Sequence, residues 1–232
     1  MAKTEPKPLK RYMLGELRAF PKVIVSPVRS AVASPVVGSG QPVMVIPGML
    51  SGDSTVSLLR RSVAAAGFDA HASGIRFHTG ADLATFAALE ARIDAIARGS
   101  GRKVTIVGWS LGGLYARVLA QHRPDSVAMV VSLGSPFSVG PRANRAWPIY
   151  NLVNGHTVDD PPLRDDVAVK PPVHTVAAWS RRDGVISVES ARGKSGECDE
   201  EVEMTGSHLD LGTSAKCVRQ VIDILGARTH LM

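Results

Sequence analysis

Only two cysteines, Cys198 and Cys217, occur in 232 residues, which is too few for a disulfide framework. Neither sits at a CxxC spacing or at a metal-ligand interval from a histidine, so no metal site is expected. Two free thiols are the expectation, with a bond between them as the alternative in an oxidising compartment. Aromatic residues make up 5% of the chain, leaving little to stack on bases. The net charge of +6 does not reverse that conclusion, because most of it is confined to one end. Residues 1–41 hold Lys3, Lys7, Lys10, Arg11, Arg18, Lys22 and Arg29 against Glu5 and Glu16, and the remainder is nearly neutral. No nucleic-acid partner is expected.

Long apolar runs are missing too. The valine-rich stretch from Val23 to Val37 is cut by Ser26, Pro27, Arg29 and Pro35, far short of the ~20 residues a bilayer-crossing helix needs. Its Ala31-Val32-Ala33 resembles a signal-cleavage site, but the apolar part before it is short and broken. A cytoplasmic location is expected, with a secreted or membrane-peripheral one as the alternative.

What is present is a globular composition, with 44% hydrophobic and 21% charged residues, and a length at which one α/β core is the default. Leu9, Met13, Leu17 and Phe20 recur at helical spacing with Lys10, Arg11 and Arg18 between them, predicting an amphipathic N-terminal helix ended by Pro21. That helix either packs on the main body with its charges in water or gives weak contact with an anionic membrane surface.

From Pro42 onward, short apolar runs alternate with helical patterns. Strands are expected at Pro42 to Ile46, Phe68 to Ser73, Arg102 to Val107, Val127 to Leu133, Val173 to Trp179 and Glu201 to Met204. A helix capped by Asp53 or Ser54 and ended by Gly67 carries Val56, Leu59 and Val63. A longer one carries Leu83, Phe86, Leu89, Ile93 and Ile96 and ends at Gly99 to Gly101; another runs from Leu111 to His122, and the last carries Val218, Val221, Ile222 and Leu225. The expected fold class is α/β: a mainly parallel sheet of about six strands with helices on both faces. Residues 1–41 read as a basic extension and 42–232 as the domain; 138–172, with six prolines, reads as an irregular lid or loop insertion.

Gly108-Trp109-Ser110-Leu111-Gly112 matches G-x-S-x-G between a buried strand and a helix. In that context the serine sits on a tight, strained turn that lifts its hydroxyl above the sheet edge. A serine hydroxyl needs a base within ~3 Å and an acid to orient the base. Asp183 follows one late strand and His208 the next, both at carboxyl ends, where open α/β sheets bind ligands. The rival carboxylates Asp159, Asp160, Asp165 and Asp166 lie in the proline-rich stretch, and the other histidines lie in or beside earlier elements or in loops and the tail.

The order Ser110, Asp183, His208 is that of α/β-hydrolases. With Ile46-Pro47-Gly48-Met49, Gly108 to Gly113, Ser180 to Val185 and Gly206-Ser207-His208-Leu209, residues 42 to 228 resemble a compact bacterial α/β-hydrolase of the lipase and esterase kind. The resemblance implies an oxyanion hole built from the backbone N–H groups of Met49 and Leu111. It departs from many lipases in having Pro47-Gly48 where they carry His-Gly, which bears on substrate more than on catalysis.

The expected activity is a cofactor-free serine ester hydrolase acting on a small ester or lipid. Acyl transfer, or thioester or amide cleavage, is the alternative on the same parts; a non-catalytic binding protein is the other. Leu50, Trp109, Trp147 and Tyr150 are candidates for an apolar substrate pocket, whereas Arg76 and His78 receive no role.

Overall fold

The computed structural model describes residues 8, 10–12, 14–18 and 29–232. Of the expected N-terminal helix, residues 14–18 are helical, with Leu14 and Leu17 exposed. Leu9, Met13, Phe20 and Pro21 lie outside the described residues, as does the part of the valine-rich stretch before Arg29.

An apolar run with no polar alternation can be a strand only if both of its faces are covered. Pro42–Ile46 (β1) is buried at every position, as is Val104–Trp109 (β3). With Asp69–Ala72 (β2), Val127–Leu133 (β4), His174–Trp179 (β5) and Glu200–Glu203 (β6), they form one parallel sheet in the order β2-β1-β3-β4-β5-β6. Each lies within two residues of its expected place. The edge strands are short and polar, Asp-Ala-His-Ala and Glu-Glu-Val-Glu, which blunts pairing with other chains.

Strand alternation sends Val43 and Val45 to one face and Met44 and Ile46 to the other. The first face is covered by Ser57–Ala65 (α1) and Ala215–Gly226 (α7), the second by Leu83–Ser100 (α2) and Leu111–His122 (α3). Val218, Val221, Ile222 and Leu225 of α7 are fully buried, each contributing about 1.5–3 kcal/mol. The helix α2 starts at Asp82, whose side chain accepts from the Thr85 N–H, and ends at Gly101 in the left-handed region.

Two expectations need correction. Asp53 does not cap α1; its carboxylate accepts from the N–H groups of Ser73 and Gly74 and so ties the start of this segment to the loop after β2. Ser54 offers only its backbone carbonyl to Ser57, and α1 begins without a side-chain cap. Nor is 138–172 irregular throughout, since Trp147–Val153 (α4) is helical, with Pro148 in its first turn, where a missing N–H costs nothing; the next helix, Val188–Arg192 (α5), follows β5.

The 163–169 portion of that stretch is held by Arg117 of α3, which is fully buried. Its guanidinium lies 4.0 Å over the Phe137 ring and donates to the carbonyls of Val167, Ala168, Val169 and Glu197. Burial lowers its pKa to about 10, so it remains charged at neutral pH. Cys198 and Cys217 are both free thiols. No helix among the described residues is long and apolar enough to cross a membrane.

Candidate active site

Register brings the carboxyl ends of the central strands to one edge: Ile46 pairs with Gly108, Trp109 with Leu133, Leu133 with Ala178, and Trp179 with Glu203. The segments that leave those ends carry Gly48, Ser110, Gly134, Asp183 and His208. The edge is therefore where parallel topology gathers the chemistry.

Ser110 has φ 54° and ψ −118°, a conformation that residues with a side chain rarely adopt. Its neighbours leave no room for relaxation. A Cβ on Gly108 would lie 2.3 Å from the Gly112 carbonyl oxygen, and one on Gly112 would lie 2.5 Å from that of Ile46. The Ser110 N–H donates to the Leu133 carbonyl at 2.8 Å, fixing the turn to the next strand.

The hydroxyl so presented lies 3.0 Å from His208 Nε2, and His208 Nδ1 lies 2.8 Å from Asp183 Oδ2. All three residues are buried or nearly so. The other Asp183 oxygen, Oδ1, accepts from the N–H groups of Val185 and Ile186, at 2.8 and 2.7 Å. The carboxylate is thus solvated by the chain instead of by water, and the Nδ1–H of His208 points at it. Burial pushes the His208 pKa down, but the charge and hydrogen bond of Asp183, helped by the charge of Glu16, outweigh it and raise the pKa above the ordinary histidine value.

His208 is the first residue of a short helix, His208–Thr213 (α6). Ser207 caps it, and the Asp210 carboxylate accepts from the Ser207 N–H. Gly134, at φ 56°, packs against the pair: a Cβ there would lie 3.0 Å from Asp183 Oδ2 and 3.3 Å from His208 Nδ1.

Across the edge, a Cβ on Gly48 would lie 3.2 Å from Ser110 Cβ, so the loop after β1 passes beside the hydroxyl. Met49 and Leu111, whose N–H groups the resemblance offers as oxyanion donors, both line the cavity next to Ser110. The loop is braced by His78, which sequence reasoning left without a role. Its Nδ1–H donates to the Pro47 carbonyl at 3.1 Å, while its backbone exchanges hydrogen bonds with Leu50 and Ser51.

The cavity has a volume of about 340 Å³ and is walled mainly by apolar groups from α3 (Leu111, Leu114, Val118), from Phe137 and Val139, from Leu163 and Val167, and from Ile186. Trp147 and Tyr150 of α4 also line it, so the proline-rich stretch forms one wall. Leu50 and Trp109 do not. Leu50 is 43% exposed, and Trp109 points to the opposite face of the sheet, where its Nε1–H donates to the His208 carbonyl at 3.1 Å. Strand alternation explains the difference, because adjacency to Ser110 in sequence does not place Trp109 on its side of the sheet. The walls contributed by Phe137, Leu163 and Ile186 carry no motif and no periodicity that would have marked them.

A family model described as the alpha/beta hydrolase fold matches residues 61–160. No curated protein matches the chain. Among solved structures, a monoacylglycerol lipase from Paleococcus ferrophilus superposes with a TM-score of 0.57 at 16% identity, covering 81% of this chain and 96% of that one. Polyneuridine aldehyde esterase gives 0.57 at 11% identity, covering 80% and 99%. A thioesterase domain from the curacin biosynthetic pathway gives 0.54 at 14% identity, covering 81% and 92%. Sheet order, the strand-to-helix serine turn and these matches agree: the chain has the α/β-hydrolase fold.

Proposed function

We propose that the protein is a serine hydrolase of carboxylic esters, of the esterase or lipase kind, with Ser110 as nucleophile, His208 as general base and acid, and Asp183 as the orienting carboxylate. The observation that carries this reading is the unbroken run of contacts from Ser110 Oγ through His208 to Asp183, 3.0 and 2.8 Å, opening onto an apolar cavity.

In the forward step Ser110 Oγ bonds to the ester carbonyl carbon as its proton passes to His208 Nε2. The carbonyl oxygen becomes an oxyanion facing the N–H groups of Met49 and Leu111, each worth about 3 kcal/mol in the transition state. Collapse expels the alcohol, which takes the proton from Nε2 and leaves an acyl-serine. Water then attacks that acyl group, giving its proton to Nε2; release of the acid returns a proton to Oγ. His208 is positively charged midway in both halves, and the buried Asp183 stabilises that charge. Every proton moves between groups of the chain, substrate and water, so the scheme requires no cofactor.

The cavity suits an acyl chain. At about 340 Å³ it lies at the small end of ligand pockets, and its walls offer contact area with few polar partners. Hydrolysis of p-nitrophenyl esters from acetate to palmitate tests the reading: turnover is expected to peak at short to medium chains and to fall by roughly 10⁵-fold or more in Ser110→Ala. Equal rates in the two proteins would overturn it. A parallel series of thioesters on the same acyl groups separates ester from thioester preference.

A further inference from the structure

The helical residues 14–18 touch the domain in a way their pattern does not announce. Leu14 is 65% and Leu17 72% exposed, so on the described residues this piece shows its apolar side chains to solvent. It shows its one acid to the protein. Glu16 Oε1 accepts from the N–H of Gly184 at 2.8 Å and from that of His208 at 2.7 Å, and Oε2 accepts from the N–H of Leu209 at 3.0 Å. Gly15 packs toward Ser207, and the buried Pro8 offers its carbonyl to Arg145 at 2.6 Å. Arg145 in turn donates its N–H to Val185 at 2.8 Å, so both anchors of the N-terminal segment reach the loop after β5.

Three donors on one carboxylate is a specific arrangement. The first N–H groups of any helix lack partners within it, and negative charge is favoured there. In α6, Asp210 takes the N–H of Ser207. The next two, on His208 and Leu209, go to Glu16. The third donor, Gly184, directly follows Asp183. One carboxylate therefore ties the loop of the orienting acid to the helix start of the base, and holds their backbones at the spacing that the Asp183–His208 bond requires.

We propose that Glu16 is a positioning residue of the Ser110–His208–Asp183 site, and that the N-terminal segment completes the site by supplying it. The proposal rests on the reading of that site as hydrolytic, but its consequences extend to any reaction in which His208 activates Ser110. Among the described residues the hydrogen bonds of the Glu16 carboxylate all come from backbone N–H groups, and Glu16 is not itself a reacting group. The charged groups at His208 are Asp183 from the loop after β5, Glu16 from the N-terminal segment and Asp210 on its own helix; Ser110, Trp109, Gly134 and Leu211 face it as neutral groups.

The test compares the full chain with Glu16→Gln and Glu16→Asp, with Leu17→Ala as the control on the exposed side of the same piece. Glutamine keeps one acceptor oxygen but turns an NH₂ toward an N–H; aspartate keeps the charge but is too short to reach both loops. Three readouts are taken: kcat and KM for p-nitrophenyl butyrate, the rate at which diisopropyl fluorophosphate labels Ser110, and the titration of His208 by proton NMR, assigned against His208→Ala. Glu16→Gln is expected to lower kcat and the labelling rate together by about 10–100-fold with little change in KM, as a displaced catalytic group does. The His208 titration should move to lower pH, because the Glu16 charge that helps His208 keep its proton is gone. Glu16→Asp should recover the titration more than the rate, and Leu17→Ala should change nothing.

An unchanged labelling rate and an unchanged His208 titration in Glu16→Gln would overturn the proposal. If wild type cleaves no ester while labelling slows in Glu16→Gln, the ester reading fails and the positioning role stands. If wild type cleaves esters and neither quantity moves, the reverse holds. Should wild type resist the label as well, the His208 titration decides alone. Should Glu16→Gln fail to fold, the comparison of Glu16→Asp with Leu17→Ala decides it.

Discussion

The turn that holds Ser110 and the arm that holds His208 meet at a distance of 3.0 Å, yet they are built on different physics. Around Ser110 the backbone is fixed by exclusion: Gly108 and Gly112 let main chain approach to distances no Cβ would permit, and the turn joins a strand and a helix that are both buried. Around His208 it is fixed by attraction, through a cap at Ser207, a carboxylate at Asp183 and another at Glu16. Steric exclusion is encoded within a few residues and survives changes elsewhere. Directed polar contacts depend on groups far apart in the chain, and each can be removed singly.

The largest expected effect that separates the two is Asp183→Asn. Asparagine can keep its oxygen on the N–H groups of Val185 and Ile186, which turns its NH₂ toward His208 Nδ1. The imidazole must then carry its proton on Nε2, where it can no longer accept one from Ser110. A fall in kcat of roughly 10⁴-fold is expected, with the urea midpoint changed far less. A loss of fold comparable to the loss of rate would mean that Asp183 is chiefly structural.

Gly112→Ala should behave in the opposite sense. Its Cβ would meet the Ile46 carbonyl at 2.5 Å, and that oxygen belongs to a central strand with nowhere to go. A stability loss of about 1–3 kcal/mol is expected, measured by urea denaturation. Gly134→Ala tests the boundary between the two kinds of control. The methyl would press on the buried Leu211 side chain at 2.6 Å and stand close to both Asp183 and His208, in a residue already at φ 56°. We expect about 1 kcal/mol of destabilisation together with a fall in kcat of roughly tenfold or more. A loss of stability at unchanged kcat would show that the pair tolerates crowding.

The same contrast explains what could be read in the sequence. The strands were legible because burial on both faces demands unbroken apolar runs, and Ser110 because its turn is written within Gly108 to Gly113. Asp183 and His208 were legible by position, since each follows a strand whose carboxyl end must lie at the same edge. Glu16 was not. Its partners are 168 to 193 residues away, its own spacing reads as one of two acids in a basic segment, and only the folded sheet edge gives it donors. Trp109 was misplaced in the pocket because neighbours along a strand alternate faces, and Leu50 because it lies on an exposed turn beyond β1, while the cavity draws its walls from Phe137, Leu163 and Ile186. Asp53 read as a helix cap from local pattern alone, yet the loop after β2 competes for its carboxylate and takes it.

The smallest effect concerns the loop on the Ser110 side, and it brings an element of attraction into the region governed by exclusion. His78 is 2% exposed, donates from Nδ1 to Pro47 and packs its ring edge-on against Tyr115 with centroids 4.8 Å apart. Burial lowers its pKa, opposed in part by the Pro47 carbonyl and the Asp82 charge. The unfolded chain therefore binds this proton more readily than the folded one. The contribution of His78 is fully present above the ordinary histidine pKa of about 6.5 and is lost as pH falls from there through the folded value. His78→Phe keeps a ring in the site but removes both the titration and the donor to Pro47. It should cost about 1 kcal/mol at pH 7.5, where a carbonyl loses its partner, and distinctly less at pH 5, where wild type has begun to pay for charging the imidazole. Urea midpoints at the two pH values measure the difference. An equal gap at both would mean that the imidazole takes up its proton without disturbing the loop beside Ser110, and that close packing and backbone hydrogen bonds hold this side of the site without it.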